Sequence, residues 1–200
     1  MTAFALKEQV LATERTGSTV PDQSASAKRR QLDQFLAGVE RKALAIAEMS
    51  LWDRDEAMDV VQDAMIRLVR SYSDRPEAEW APLFFRILNN RERDVQRRRQ
   101  VRNRFMSWFG GSGDDDHDPI AAAPNLDQAT PGEELEALET HARLTEAVKQ
   151  LPERQREAFL LRSLEGFDTA QTAEAMGCSE GSVKTHYSRA LNALRAALAR

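Results

Sequence analysis

Two hundred residues, 42% apolar and 30% charged, supply enough chain for one large or two small domains, each with a core of its own. A net charge of −4 argues against a free-standing nucleic-acid binder unless charge is unevenly placed, and one cysteine excludes a disulfide framework and points to a reducing cytosol. No apolar run approaches the roughly 18 residues of a membrane span, and no basic stretch followed by an apolar one opens the chain, so neither direct membrane insertion nor a secretory signal is expected.

Ala, Leu, Arg, Glu and Gln dominate, and β-branched residues do not alternate, so the expected fold is all-α. Residues 1–30, rich in Thr, Ser and Gln with Pro21, read as a mobile tail with a short helix near Phe4 to Leu11. From Gln31, Leu32, Phe35, Leu36, Val39, Ala43 and Ile46 recur at spacings of three and four, which makes one face of a helix. Asp53 with Glu56 forms a capping box for a second helix, whose apolar stripe is Ala57, Val60, Val61, Ala64, Met65 and Leu68. Its other side carries Asp55, Asp59, Gln62, Asp63 and Ile66. That side is either a solvated acidic face or, because it mixes acids with an isoleucine, a docking surface. After a polar loop from Ser71 to Glu79, a third helix opens near Trp80-Ala81-Pro82, with Leu83, Phe84, Ile87, Leu88, Arg91 and Val95 on one face.

From the third helix onward the charge is segregated. Between Arg86 and Arg104 stand eight arginines against Glu92 and Asp94, so phosphate binding competes with a solvated basic helix as the reading. Between Met106 and Gly132 there are five acids and no Lys or Arg among Gly, Ala and Pro, the composition of a flexible acidic linker. The cluster from Asp114 to Asp118 has neither calcium-loop spacing nor a second histidine, so no metal is expected there.

Thr130-Pro131-Gly132-Glu133 caps a further helix with Leu135, Leu138, Leu144, Val148 and Leu151 on its apolar face. Pro152 starts the next, with Ala158, Phe159, Leu160 or Leu161, and Leu164 facing inward and Gly166 at its end. A short helix from Asp168 to Met176, a tight turn at Gly177-Cys178 and a second helix capped by Ser179 then make a helix-turn-helix. In such a unit the second helix enters the DNA major groove. Val183, Tyr187, Ala190, Leu191, Leu194 and Leu198 form its buried stripe. The opposite face is Gly181, Ser182, Thr185, Ser188 and Arg189, flanked by Lys184. Small residues at the start of this helix permit close approach to the groove, Glu180 can accept from a cytosine amino group, and Lys184 can reach guanine or phosphate. Cys178 reads as a small residue packed in a turn rather than a redox switch.

Taken in order, four stretches resemble the extracytoplasmic-function group of bacterial sigma factors. Asp59-Val-Val-Gln-Asp-Ala-Met-Ile-Arg67 resembles that family's helix for binding core polymerase. Arg86-Ile87, Asn90, Asp94 and Arg97-Arg98-Arg99 resemble its promoter-melting helix. Leu151 to Arg162 with Glu165-Gly166 resembles the entry to its C-terminal domain, and Ser179 to Thr185 with Ser188-Arg189-Ala190 its recognition helix. Three positions depart from the pattern: Leu83 stands where the family usually has an aromatic, the loop from Ser71 to Trp80 lacks a Phe-Arg-Gly-like run, and Thr172 replaces a branched apolar residue.

The resemblance implies two helical domains, residues 31–105 and 133–200, joined by an acidic linker at 106–132. It implies core RNA polymerase, promoter DNA and an anti-sigma factor as partners, and a cytoplasmic location. Asp55, Asp59, Gln62, Asp63 and Ile66 would dock on polymerase. Tyr72 or Trp80 would stack on melted bases, Asn90 would read a base edge, and Arg91, Arg97 and Arg98 would hold phosphates. Ser179, Glu180, Gly181, Ser182, Lys184, Thr185, Ser188 and Arg189 would contact the distal promoter element. The acidic run of the linker would either mimic nucleic acid in a basic channel or only keep the linker soluble. The rival reading is a free-standing helix-turn-helix regulator. No nucleophile–base pair, metal-ligand spacing or phosphate loop is present, so neither catalysis nor a cofactor is expected.

Overall fold

The computed structural model describes residues 23–108 and 131–199, and every described element is helical. The expected helix near Phe4 and the acidic run from Asp114 to Asp118 lie outside the described residues. Helix α1 spans Gln23–Leu51, α2 Arg54–Tyr72 and α3 Glu77–Trp108. In the second half α4 spans Pro131–Lys149, α5 Glu153–Leu160, α6 Thr169–Met176 and α7 Glu180–Leu198.

Two starts and one end differ from expectation. Helix α1 opens at Gln23, ahead of Gln31, because Ala, Lys and Arg propagate a helix without an apolar stripe, and Lys28 anchors this turn by donating from Nζ to the Asp74 carbonyl at 2.7 Å. Helix α3 opens at Glu77, which places Pro82 inside it and leaves the helix without one amide donor. At its far end α3 runs through Trp108, so the start of the expected linker at Met106 is helical.

In the first half α1, α2 and α3 pack on one another. The predicted stripes are the ones buried: Leu32, Val39, Ala43 and Ile46 on α1, and Ala57, Val60, Val61, Ala64 and Leu68 on α2, with Met65 half-buried. Helix α3 contributes more than its predicted face, because Trp80 and Phe85 are also fully buried beside Phe84 and Leu88. The α1–α2 corner turns on Trp52, whose φ of 56° is a left-handed conformation that costs a residue with a side chain on the order of 1 kcal/mol. Asp53 caps α2, its carboxylate accepting from the Glu56 amide at 3.0 Å. The reciprocal bond of a capping box is replaced by Arg99, which bridges Asp53 at 3.1 Å and Glu56 at 2.8 Å and donates to the Leu51 carbonyl at 2.7 Å.

The second half closes around Val148, Leu151, Ala158, Leu160, Leu161, Met176, Val183, Ala190 and Leu194. Helix α5 continues into one π turn at Leu161–Glu165, stopped by Gly166 at φ 82°. That extra residue per turn rotates Leu164 outward, so it is exposed rather than inward-facing as its spacing predicted. Leu198, at the end of the α7 stripe, is exposed as well. Thr172 is fully buried where an apolar residue was expected, and its hydroxyl is satisfied by the Asp168 carbonyl at 2.6 Å. The two halves touch directly: α6 packs along α3, and α1 meets α4, α5 and the π turn.

Candidate nucleic-acid interface

The helix-turn-helix has the local geometry its residues dictate. Asp168 caps α6 in a full capping box with Gln171. Gly177, at φ 63°, ends that helix left-handed, and the Cys178 amide closes the turn onto the Ala173 carbonyl at 3.0 Å. Ser179 caps α7 by accepting from the Ser182 amide at 3.2 Å. Val183, Ala190 and Leu194 are buried and hold α7 down. Ser179, Glu180, Gly181, Lys184, Thr185, Ser188 and Arg189 are exposed together on the other side, with Ser182 half-buried between them. Burial raises the Cys178 thiol, against the pull of the Arg154 guanidinium, which keeps it protonated in the turn. His186 is lowered by burial and by Arg154 and Arg189, so no imidazolium adds to this face at neutral pH.

One feature of this face is not legible in the sequence. A groove beside α7 is lined by Arg162, Lys184 and Arg195 and by no acid. Arg162 lies over the Tyr187 ring at 5.0 Å and donates to the Thr169 hydroxyl at 2.9 Å. Arg162 and Arg195 come from different elements, so only the folded chain assembles this cationic wall.

The arginines of α3 divide into two sets. Arg99 is spent on the α1–α2 corner, and Arg93 is turned toward the second half, reaching Glu157 at 2.6 Å. Arg91 is half-buried and pairs with Asp63 at 3.5 Å, which joins a residue expected at the DNA to one expected at polymerase. Arg97 and Arg98 are exposed, as is Asn90, whose side-chain oxygen accepts from Arg93 at 3.1 Å. Trp80 does not form a stacking platform. Because α3 starts earlier than predicted, Trp80 sits on its inner face, 0% exposed, with its ring 5.8 Å from Phe35. Tyr72 is half-buried at the end of α2 and keeps part of its ring accessible.

On α2, Asp55, Asp59, Gln62 and Ile66 recur at helical spacing and all are exposed, with Asp63 beside them. Ile66, Met58 and Val69 are 44%, 44% and 42% exposed, so the acidic ridge carries apolar surface alongside.

Residues 141–194 match the family described as Sigma-70, region 4. RNA polymerase sigma factor NccH of Alcaligenes xylosoxydans xylosoxydans is 30% identical over 183 residues, covering 88% of this chain and 94% of that one. ECF RNA polymerase sigma factor SigL of Mycobacterium tuberculosis is 30% identical over 179 residues, covering 87% and 90%. The chain belongs to the ECF family of RNA polymerase sigma factors. Among solved structures, this sigma factor is similar to RpoE in complex with the anti-sigma factor NepR from Bartonella quintana, at TM-score 0.61 and 26% identity over 83% of this chain and 95% of that one. It shares the fold of CnrH, solved with the cytosolic domain of CnrY, at TM-score 0.54 and 23% identity over 88% of this chain and 92% of that one.

Proposed function

We propose that the chain is an alternative sigma factor that binds core RNA polymerase and directs initiation at specific promoters, with residues 31–105 and 133–200 as its two working units. The observation that carries this reading is the coexistence in one chain of an exposed acidic and apolar ridge on α2 and an exposed, small-residue recognition face on α7. Asp55, Asp59, Gln62, Asp63 and Ile66 form the polymerase surface, where acids meet basic side chains and Ile66 supplies the apolar contact. Asn90, Arg97 and Arg98 meet the melted strand with Tyr72 as the stacking ring, and Arg91 joins them once Asp63 is engaged elsewhere. The α7 residues from Ser179 to Arg189 read the distal element as duplex. The chain acts in the cytoplasm, performs no catalysis of its own, and is held in check by an anti-sigma factor, a reading supported by its likeness to RpoE solved with NepR. Among the described residues no helix is long and apolar enough to cross a membrane.

Transcription in vitro with core polymerase tests the reading. The wild-type chain should co-purify with core enzyme and give promoter-specific transcripts, and Asp59→Ala/Gln62→Ala/Asp63→Ala should lower both at least tenfold without changing the helical content. A chain that binds operator DNA tightly alone and never associates with core polymerase would be a free-standing regulator, and the proposal would fail.

A further inference from the structure

The first turns of α1 add no large apolar side chain to the core. Between Gln23 and Gln31 none occurs, and the buried stripe begins only at Leu32. Ser26, Ala27 and Lys28 are nonetheless half-buried. What these turns reach is the connection between α2 and α3. Lys28 donates from Nζ to the Asp74 carbonyl at 2.7 Å, across 46 residues of chain.

The other bonds of that connection are local. The Arg75 amide donates to the Tyr72 carbonyl at 3.0 Å, the Glu79 amide to the Pro76 carbonyl at 3.0 Å, and Arg75 pairs with Glu79 at 3.7 Å. They fold residues 73–76 onto the two helix ends but do not fix how the connection sits against the bundle. Among the described residues, the bond from Lys28 is the only hydrogen bond or ion pair that joins 73–76 to an element other than α2 and α3. An ammonium on a carbonyl is charge-assisted, so it is stronger than a neutral pair, although exposure to water trims it.

Asp74 stands two residues beyond Tyr72, the ring proposed above to stack on the melted strand. Every base has a π face, so a stacking ring alone discriminates poorly between bases. Discrimination has to come from groups held at fixed places around the ring, and a group that shifts by about 1 Å loses most of its selectivity.

We propose that Lys28 is a positioning residue of the melted-strand site: by holding the Asp74 carbonyl it fixes residues 73–76 beside Tyr72 and so sets which base the site accepts. This inference rests on the reading that Tyr72 meets the melted strand, but the anchor itself can be measured without DNA.

Two measurements on the full chain test it. In the free chain, amide hydrogen exchange over residues 73–79 should quicken about threefold to tenfold in Lys28→Met and return to the wild-type rate in Lys28→Arg, which can donate to the same carbonyl. Arg30→Met removes an equal charge from the same helix, about 200° around it from Lys28, and should leave exchange unchanged. With core polymerase, each form then selects from a randomised pool of single-stranded DNA. Lys28→Met should flatten the base preference of the wild-type holoenzyme while co-purifying with core enzyme as well as before. Lys28→Arg should restore that preference, and Arg30→Met should keep it. Exchange unmoved in Lys28→Met, a base preference it retains, no rescue by Lys28→Arg, or equal flattening in Arg30→Met would each overturn the proposal. If exchange responds as expected but the wild-type preference survives Tyr72→Ala, the anchor stands and the reading of Tyr72 falls.

Discussion

Glu92 concentrates the chemistry of the interface between the halves. It is 5% exposed, Oε1 has no hydrogen-bond partner, and burial pushes its carboxyl up to about 8, reinforced by Glu157 and opposed by Ser50, Arg156 and Arg93. The groups around it come from every packed element: Ser50 on α1, Asn89, Arg93 and Gln96 on α3, and Glu153, Arg156 and Glu157 on α5. Glu157 is also raised by burial, against the pull of Arg93 and Arg154. A carboxyl whose pKa is raised in the folded chain contributes fully to stability below its unfolded value, 4.5, and loses the contribution as pH climbs through about 8. Thermal stability should therefore fall as pH rises from about 4.5 to about 8 and level off above it, as far as Glu92 is concerned. Glu92→Gln, which mimics the neutral carboxyl, should flatten that slope and stabilise the chain at about pH 8 by on the order of 1–2 kcal/mol. Unchanged melting curves for the variant across this range would mean that Glu92 is hydrated as a free carboxylate.

Among the elements, the turn between α6 and α7 is the most sharply specified. Gly177 is left-handed at φ 63°, and alanine there has room for its methyl group but not the conformation. Gly177→Ala should cost about 1 kcal/mol and, by shifting α7 against α6, weaken promoter recognition more than it weakens polymerase binding. A melting temperature that rises instead would mean that the turn tolerates a side chain. This turn is legible in the sequence because it rests on contiguous residues: a glycine stop, a serine cap and apolar residues at helical spacing. The stripes of α1 and α2 are legible for the same reason. The start of α3 is not. Pro82 resembles a first-turn proline, and only tertiary packing of Trp80 against Phe35 reveals that the helix has already run for a turn. An indole at the edge of a polar loop therefore reads as a stacking ring, although the fold buries it. The π turn, which sends Leu164 outward, leaves no mark in the spacing. At the candidate interface, sequence identifies where arginines are plentiful but not which are already engaged, because Glu157 and Asp53 stand 64 and 46 residues from Arg93 and Arg99.

At the scale of the whole molecule the segregated charge acquires several destinations. From Leu151 onward seven Lys and Arg face six acids, so this stretch has little bulk electrostatic attraction for DNA. The basic stretch of α3 is partly neutralised from within, by Asp63, Glu153, Glu157, Asp53 and Glu56. Two of those five acids belong to the second half, so its contact with α3 also lowers the positive potential along that helix.

The contact that Lys149 of α4 makes with the α1–α2 corner has a practical side. Its ammonium lies 5.3 Å over the ring of Trp52, which is half-buried and shows an indole nitrogen without a hydrogen-bond partner. A cation held on the face of an indole perturbs its excited state, and removing that cation to water lifts the perturbation. Trp52 is thus an optical gauge of the contact that Lys149 makes with the α1–α2 corner. Tryptophan emission should shift in Lys149→Ala, while in a Trp52→Phe background, where Trp80 and Trp108 remain, the same substitution should leave it unmoved. A shift that persists in that variant would assign the signal elsewhere.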